Sequence, residues 1–460
     1  MGNLARHAVV ALTVLSSAAA AEETLLHAGP MLAATELRST AIWVQTASET
    51  AVQLRYFPAG VPEAARLTPE ARTCSSDELV KAFTLAGLEP GGAYEYELYL
   101  DGHLVARPYP LTFTTLPLWQ WRTPPPDFAA MFGSCAYINE DAYDRPGRPY
   151  GSEYEIFAAM AAARPDLMLW LGDNLYYREA DLFSASGLAH RYRHDRALPE
   201  LQPFLAATAH LAIWDDHDFG PNDSDGSYGL KDASLALFKL YWPAATRGLP
   251  GVPGVFHKVT WGDVDFFLLD DRYHRKPNGW PQRADKTMLG RAQLEWLKES
   301  LVSSHAAFKV IALGNQVLNP LSEYETMAHY AAEQKELVDW IVGQRIDGVV
   351  FISGDRHHSE LIRLQPAGAY PLYDFTSSSL TAGVHEMKEG HPELANPHRV
   401  AGTLVMAHSF GMLRFSGAAR QRVLTMQACD RSGKVLWEHQ IRQDEVSFPK
   451  PPQQGRQRRR

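Results

Sequence analysis

A chain of 460 residues is several times longer than one compact core needs at roughly 100–200 residues per domain, so two or three domains are expected. With 45% hydrophobic and 21% charged residues, the composition excludes a chain that is mainly disordered, collagenous or coiled-coil. The formal net charge of −9 offers no general attraction for a polyanion such as duplex nucleic acid, so a phosphate-handling pocket has to be built locally.

In chain order, residues 1–21 read as a signal peptide. Arg6 and His7 give a weakly basic start, residues 8–15 an apolar stretch too short to span a bilayer, and Ala19-Ala20-Ala21 a small-residue cleavage site. There is no twin-arginine pair and no later apolar run of membrane-spanning length, so a Sec-type, periplasmic or secreted, soluble protein is expected.

Residues 22–116 carry short alternating strands at 40–46, 51–57 and 94–100, the last closed by the turn Asp101-Gly102, which predicts a small β-sandwich. The stretch from Leu88 through Pro90 to Tyr94 and Tyr96 resembles the corner of a fibronectin type III or immunoglobulin-like domain, where a Tyr hydroxyl ties back to the preceding turn. Residues 117–126, ending in Pro124-Pro125-Pro126, read as a linker.

From 127 to 445 the pattern changes. Apolar runs of strand length recur, and most stop at a residue that binds metal or does chemistry: 128–132 before Gly133-Ser134-Cys135, 167–171 before Gly172-Asp173-Asn174, and 211–214 before Asp215-Asp216-His217-Asp218. Likewise 264–269 ends in Asp270-Asp271-Arg272, 308–313 in Gly314-Asn315-Gln316, and 349–353 in Gly354-Asp355-Arg356-His357-His358. Strands of this kind gather their polar ends along one sheet rim, where open α/β folds place their sites. Helical patterns at 154–163, 292–300 and 331–342 lie between them, and closing strands follow at 412–415, 422–428 and 435–440, which predicts a layered α/β sandwich. Segments 139–150, 179–196 and 218–231 read as loops, and 446–460 as a disordered basic tail.

A dinuclear hydrolytic site needs a bridging carboxylate, further ligands on adjacent strand ends and a proton source near the leaving group. Asp173 is the natural bridge, and Cys135, Tyr176, Asp216, Asp355 and His357 complete the shells; Tyr177 competes with Tyr176, whose spacing is the better one. Thiolate, phenolate and imidazole favour a transition metal such as iron, whereas the carboxylates favour calcium, magnesium or manganese. A metal-bound hydroxide would attack in line, with His217 protonating the leaving group. Asn222 is a further candidate oxygen ligand, or a turn residue. Arg272, Arg275 and Arg356 match phosphate oxygens as guanidinium forks, and match the adjacent Asp residues equally well as structural partners. Of the three cysteines, Cys74 and Cys429 read as small core residues; without CxxC spacing, neither a disulfide scaffold nor a zinc ribbon is available. Ser377-Ser378-Ser379 lacks an adjacent base and a nucleophile elbow, so it reads as a polar strand end.

Taken in order, Gly133-Ser134-Cys135, Gly172-Asp173-Asn174-Leu175-Tyr176, Trp214-Asp215-Asp216-His217-Asp218 and Gly354-Asp355-Arg356-His357 resemble the motifs of PhoD-type alkaline phosphatases, members of the calcineurin-like metallophosphoesterase superfamily with features shared by purple acid phosphatases. The resemblance implies a four-layer αββα sandwich behind an N-terminal fibronectin/immunoglobulin-like domain. It implies Fe3+ held by Cys135, Asp173, Tyr176 and His357, and a second divalent cation, Ca2+ first and Mg2+, Mn2+ or Zn2+ as other fits, held by Asp173, Asp216 and Asp355. It also implies hydrolysis of small phosphomonoesters or phosphodiesters outside the cell. The rivals are phospholipid cleavage of the phospholipase-D kind at the same site, and a non-catalytic cell-surface binding protein with a structural metal.

Overall fold

A computed structural model describes residues 25–449; the expected signal peptide and residues 450–460 of the expected tail lie outside the described residues. The N-terminal strands are β1 (Leu26–Leu32), β2 (Ser39–Thr46), β3 (Ala51–Pro58), β4 (Arg66–Leu67), β5 (Ala71–Arg72), β6 (Val80–Ala86), β7 (Ala93–Leu100), β8 (His103–Leu104) and β9 (Thr112–Thr114). They form a three-stranded sheet, β1-β2-β6, and a second sheet ordered β4-β3-β7-β8, which β5 and β9 join through β3 and β7. Alternation puts Val52, Leu54 and Tyr56 of β3 and Tyr94, Tyr96, Leu98 and Leu100 of β7 inside. The tyrosine corner is present: the Glu89 backbone N–H donates to the Tyr94 hydroxyl at 2.8 Å.

Two six-stranded sheets follow. The first contains β10 (Phe128–Gly133), β11 (Leu167–Leu171), β12 (Ala209–Ile213), β19 (Ser409–Ser416), β20 (Val423–Asp430) and β21 (Val435–Arg442), ordered β12-β11-β10-β19-β20-β21. The second contains β13 (His257–Trp261), β14 (Val264–Leu268), β15 (Phe308–Ala312), β16 (Val349–Ser353), β17 (Glu360–Leu364) and β18 (Leu372–Thr376), ordered β13-β14-β15-β16-β18-β17. β10, β11 and β12 are parallel, as are β14, β15, β16 and β18, so all seven C-terminal ends point to the same rim within their sheets. These strands are buried along their whole length, which is why they read as continuous apolar runs. Aromatic side chains lock the sheets face to face: Phe132 of β10 meets Phe375 of β18 edge-on at 4.8 Å, and Phe308 of β15 meets Phe415 of β19 at 5.7 Å. Helices such as Glu155–Ala162 and Arg291–Ser303 cover the outer faces, through Phe157 on Trp170 and Trp296 on Phe267. The architecture is the four-layer αββα sandwich with a β-sandwich in front of it.

Two expectations need correction. Residues 179–196 are not all loop: helix Ala185–Arg196 begins at Ser184, whose hydroxyl accepts the Gly187 N–H. Its inward face sets Arg191, bonded to Asp181, Asp195 and Glu140, among the buried Leu188, Ala189 and Tyr192, which weakens the hydrophobic period that would announce it. The tail also starts later than 446, because Val446 and Phe448 are buried and Phe448 packs edge-on against Tyr370. Strands β13, β17 and β18 were not among the strands read from the sequence. Residues 117–126 carry no strand or helix, and Arg422 fastens their end by donating to the Pro126 carbonyl at 2.8 Å.

The N-terminal domain covers the open edge of the first sheet. Ala33 bridges His210 of edge strand β12, Gly29 N–H donates to Gln202 at 2.7 Å, and Gln45 donates to the Tyr241 hydroxyl at 2.6 Å. Trp43 is fully buried there, with its indole N–H on the Leu240 carbonyl at 3.0 Å and the Arg196 guanidinium 5.3 Å from its ring. Trp43→Ala is expected to lower stability by about 3–5 kcal/mol, seen in chemical denaturation as an earlier midpoint for the whole chain; an unchanged midpoint for the catalytic sheets would mean that the domains unfold independently.

Candidate metal centre

The site forms where the C-terminal ends of the two sheets meet. Asp173 follows Gly172 at φ 90°, a backbone region open to glycine, and a Cβ there would lie 2.4 Å from Asp215 Cβ. Across the seam, a Cβ on Gly354 would lie 2.5 Å from Ser134 Cβ. The glycines that precede Asp173 and Asp355 therefore let strand ends approach closely enough for their next residues to converge. Cys135, Asp173, Asp355 and His357 themselves have positive φ values of 61°, 50°, 64° and 54°. Non-glycine residues pay strain there, and such strain collects at functional sites.

The convergence is tight. Cys135 Sγ lies 3.4 Å from Asp173 Oδ2, and the Tyr176 hydroxyl lies 3.1 Å from the same oxygen and 3.2 Å from His357 Nε2. The ligating atoms of Cys135, Asp173 and His357 all lie within 4.8 Å of one another, as do those of Asp173, Asp216 and His217, and those of Asp215, Asp216 and Asp355. Asp173 belongs to the first two of these groups and Asp216 to the last two. Tyr177, by contrast, turns its ring toward Tyr192.

Neighbouring groups hold the donors in orientation. The Gly383 carbonyl accepts from His357 Nδ1, which fixes the tautomer and leaves the Nε2 lone pair facing Tyr176 and Asp173. Ser378 donates to Cys135 Sγ at 3.0 Å, so the triple-serine strand end does abut the site. His217 places its backbone N–H on Asp173 Oδ1 at 3.2 Å, its Nε2 4.0 Å from Asp216, and its ring against Tyr176 with centroids 4.1 Å apart. It thus sits within the cluster as well as beside it.

Charge is unbalanced here. Burial, with Asp216 and Cys135 adding like charge, pushes the Asp173 carboxyl well above its usual range; burial and Asp173 push Tyr176 up, and burial together with Asp355 pushes the Cys135 thiol to about 11. Burial also lifts Asp355 to about 7 against the pull of Arg356. Asp216 alone is held low: burial opposes ionisation, and His217, Arg272 and the Asp223 N–H outweigh it. One Asp216 oxygen is buried without a hydrogen-bond partner. A donor set of thiol, phenol, imidazole and several carboxylates, in which burial raises Cys135, Asp173, Tyr176 and Asp355 while Asp216 is held ionised, fits a bound cation.

The arginines divide from these donors. Arg272 is fully buried and bonded to Asp215, Glu325 and the Ser224 carbonyl; Arg275 is buried and bonded to Asn315 at 2.9 Å, Asn278 at 2.9 Å and Glu325 at 2.6 Å. Neither guanidinium is free for a phosphate, and the structural alternative replaces the clamp. Arg356 lines the cleft but pairs with Glu393. Asn315 and Gln316 cross-link strand ends, to Asp215 and to Glu360 and Thr376. Asn222 is exposed on the rim of a cleft of about 740 Å³ that also contains Asp173, Asp216, His217, Asp355 and His357. Asp223 and Glu325, grouped with Asp216, were missed by sequence reasoning: neither stands at the end of an apolar run. Cys429 is buried as expected, whereas Cys74 is only half-buried, and all three cysteines are free thiols.

Residues 131–425 match the profile of the PhoD-like phosphatase family. The chain belongs to that family. Residues 23–117 match a domain of unknown function (DUF7800). Alkaline phosphatase D of Bacillus subtilis (strain 168) is 25% identical over 324 residues, covering 59% of this chain and 52% of that protein, so the chain spans about half the length of this relative. A solved structure of PhoD superposes with a TM-score of 0.74 at 17% identity over 94% of each chain. A purple acid phosphatase from yellow lupin (Lupinus luteus) seeds does so at 0.64 and 11% identity, over 93% of this chain and 77% of that one. At these identities the two structures speak for the fold.

The raised carboxyls set a pH dependence. Asp218, fully buried, and Asp355 hold their protons to about 7 when folded, but ionise near pH 4 when unfolded. Their contribution to stability is complete below about pH 4 and lost as pH rises through about 7. Metal-stripped protein is therefore expected to melt at falling temperature between about pH 5 and 8, a slope that saturating metal should flatten; a melting temperature rising over that interval would contradict the charge imbalance.

Proposed function

We propose that this protein is an exported, metal-dependent phosphatase that hydrolyses small phosphomonoesters, phosphodiesters or both. The single observation that carries this reading is the meeting of Cys135, Asp173, Tyr176 and His357 around one point at the seam of the sheets. In this reading these four hold iron, and Asp173, Asp216 and Asp355 hold a second, harder cation, calcium in the first place, with Asn222 as a further oxygen donor at the rim. When bound, such a pair supplies Lewis acidity, bringing water's pKa toward neutrality and neutralising phosphate oxygens.

The chain's own residues do the rest. The Gly383 carbonyl keeps His357 Nε2 available as a ligand, and Ser378 steadies the Cys135 sulfur. The Arg272 guanidinium, gripped by Asp215 and Glu325, fixes the strand end that carries Asp216. His217 lines both the metal cleft and a neighbouring pocket of about 420 Å³, so its imidazole stands where a leaving oxygen would exit and can hold or deliver a proton there. Export rests on the reading of residues 1–21, and no described helix is long and apolar enough to cross a membrane.

Asp173→Ala is expected to abolish tight metal binding and to lower kcat by at least about 10³-fold, read by elemental analysis beside a monoester, a diester and a phospholipid assay. Wild-type turnover in that variant would sink the reading. His217→Ala should lower kcat by about 10²–10⁴-fold with metal content retained, as suits a proton donor; loss of a metal equivalent instead would make it a ligand. Native protein should also show a ferric-phenolate visible band that disappears in Tyr176→Phe, and zinc in both positions would require reassigning the donors.

A further inference from the structure

We propose that His358, His385 and Glu393 form a separate cation site, suited to zinc or a similar borderline metal, that ties the loop beside the cleft to the end of β16. Their ligating atoms lie within 4.8 Å of one another, and none of the three belongs to the cluster around Asp173. The set is two imidazoles and a carboxylate, a donor combination that zinc takes with one position left open.

The state of His358 carries the argument. The residue is fully buried, and its Nδ1 lies 2.9 Å from the Arg356 carbonyl, which can only accept, so Nδ1 carries the proton. Nε2 is the ring nitrogen left for a ligand, and it is buried with no hydrogen-bond partner. It faces Glu360 Oε1 at 3.5 Å, another acceptor, already engaged by Gln316 at 2.8 Å. Glu360 has its own cation, the Arg399 guanidinium on its other oxygen, so what remains unsatisfied on this side is the buried Nε2 of His358. Glu393 poses the same demand: it is buried, neither carboxylate oxygen makes a well-formed hydrogen bond, and its nearest cation is the Arg356 guanidinium. A metal ion among His358 Nε2, His385 and Glu393 would satisfy these groups together, in competition with Arg356 for Glu393.

The site would bear on the first one through the backbone. His385 donates its N–H to the His357 carbonyl at 2.9 Å, and Gly383, two residues earlier, supplies the carbonyl that orients the His357 ring. His385 also lines the cleft, next to Tyr324, whose ring meets it edge-on at 5.2 Å. An ion holding His385 would therefore stiffen the turn that keeps His357 in place.

The test uses full-length protein dialysed against zinc at graded concentration, with bound metal counted per chain by elemental analysis and cobalt substitution read as visible ligand-field absorption. Four proteins are compared: wild type, His385→Ala, Glu393→Gln, and the double variant Cys135→Ser/Asp173→Asn. His385 is half-buried on a loop and Glu393→Gln keeps the side-chain shape, so the fold survives these changes. The expected result is one equivalent that the double variant retains and that both His385→Ala and Glu393→Gln lose. The proposal is overturned if His385→Ala and Glu393→Gln bind as much as wild type, or if the double variant binds none. Because the double variant removes the Asp173 cluster alone, failure of the phosphatase reading would leave this count unchanged.

Discussion

Burying acidic groups is costly, and this fold gathers them at one seam: a thiol, a phenol and carboxylates from both sheets, with imidazoles, Arg272 and Arg356 nearby for balance. The surrounding structure makes sense as the means of holding that arrangement. Glycines before Asp173 and Asp355 allow strand ends to touch, and the aromatic packing of Phe132 on Phe375 clamps the sheets behind them. Four residues accept a left-handed backbone so that their side chains turn inward. Each device costs free energy locally, and a bound cation is the species that would make the ensemble favourable.

The arginine network shows how the seam divides its labour. Arg272 and Arg275 share Glu325 and reach Asp215 and Asn315, so the positive charge closest to the cluster is engaged by the protein itself. Substrate phosphate would meet cations and an imidazole rather than an arginine fork. On the proposed reading, recognition of the phosphoryl group would fall to the metals, with exposed Asn222 and buried Arg356 among the residues lining the cleft around it.

Much of this was legible from the residues because a buried parallel strand has few ways to be written. Phe128–Gly133, Leu167–Leu171 and Val349–Ser353 are uniformly apolar, and their ends are marked by glycine followed by a ligand type. Helix Ala185–Arg196 escaped because its buried face mixes Leu188, Ala189 and Tyr192 with the ion-paired Arg191 and Asp195, which breaks up the apolar stripe. Asp223 and Glu325 lie on irregular segments brought to the site by tertiary packing, and no local pattern foretells that. The roles of Arg272 and Arg275 were undecidable for a related reason: a guanidinium beside a carboxylate motif suits either partner until the burial of both is known.

The donors come from strand ends that the ribosome delivers far apart in time. Cys135 and Asp173 emerge early, while Asp355 and His357 come from the other sheet, after β13, β14, β15 and β16. A nascent chain therefore presents only a fragment of a chelate, too sparse to select one ion from a mixture. Selectivity for an ion needs both sheets closed, so the identity of any captured ion would depend on what is available where folding finishes.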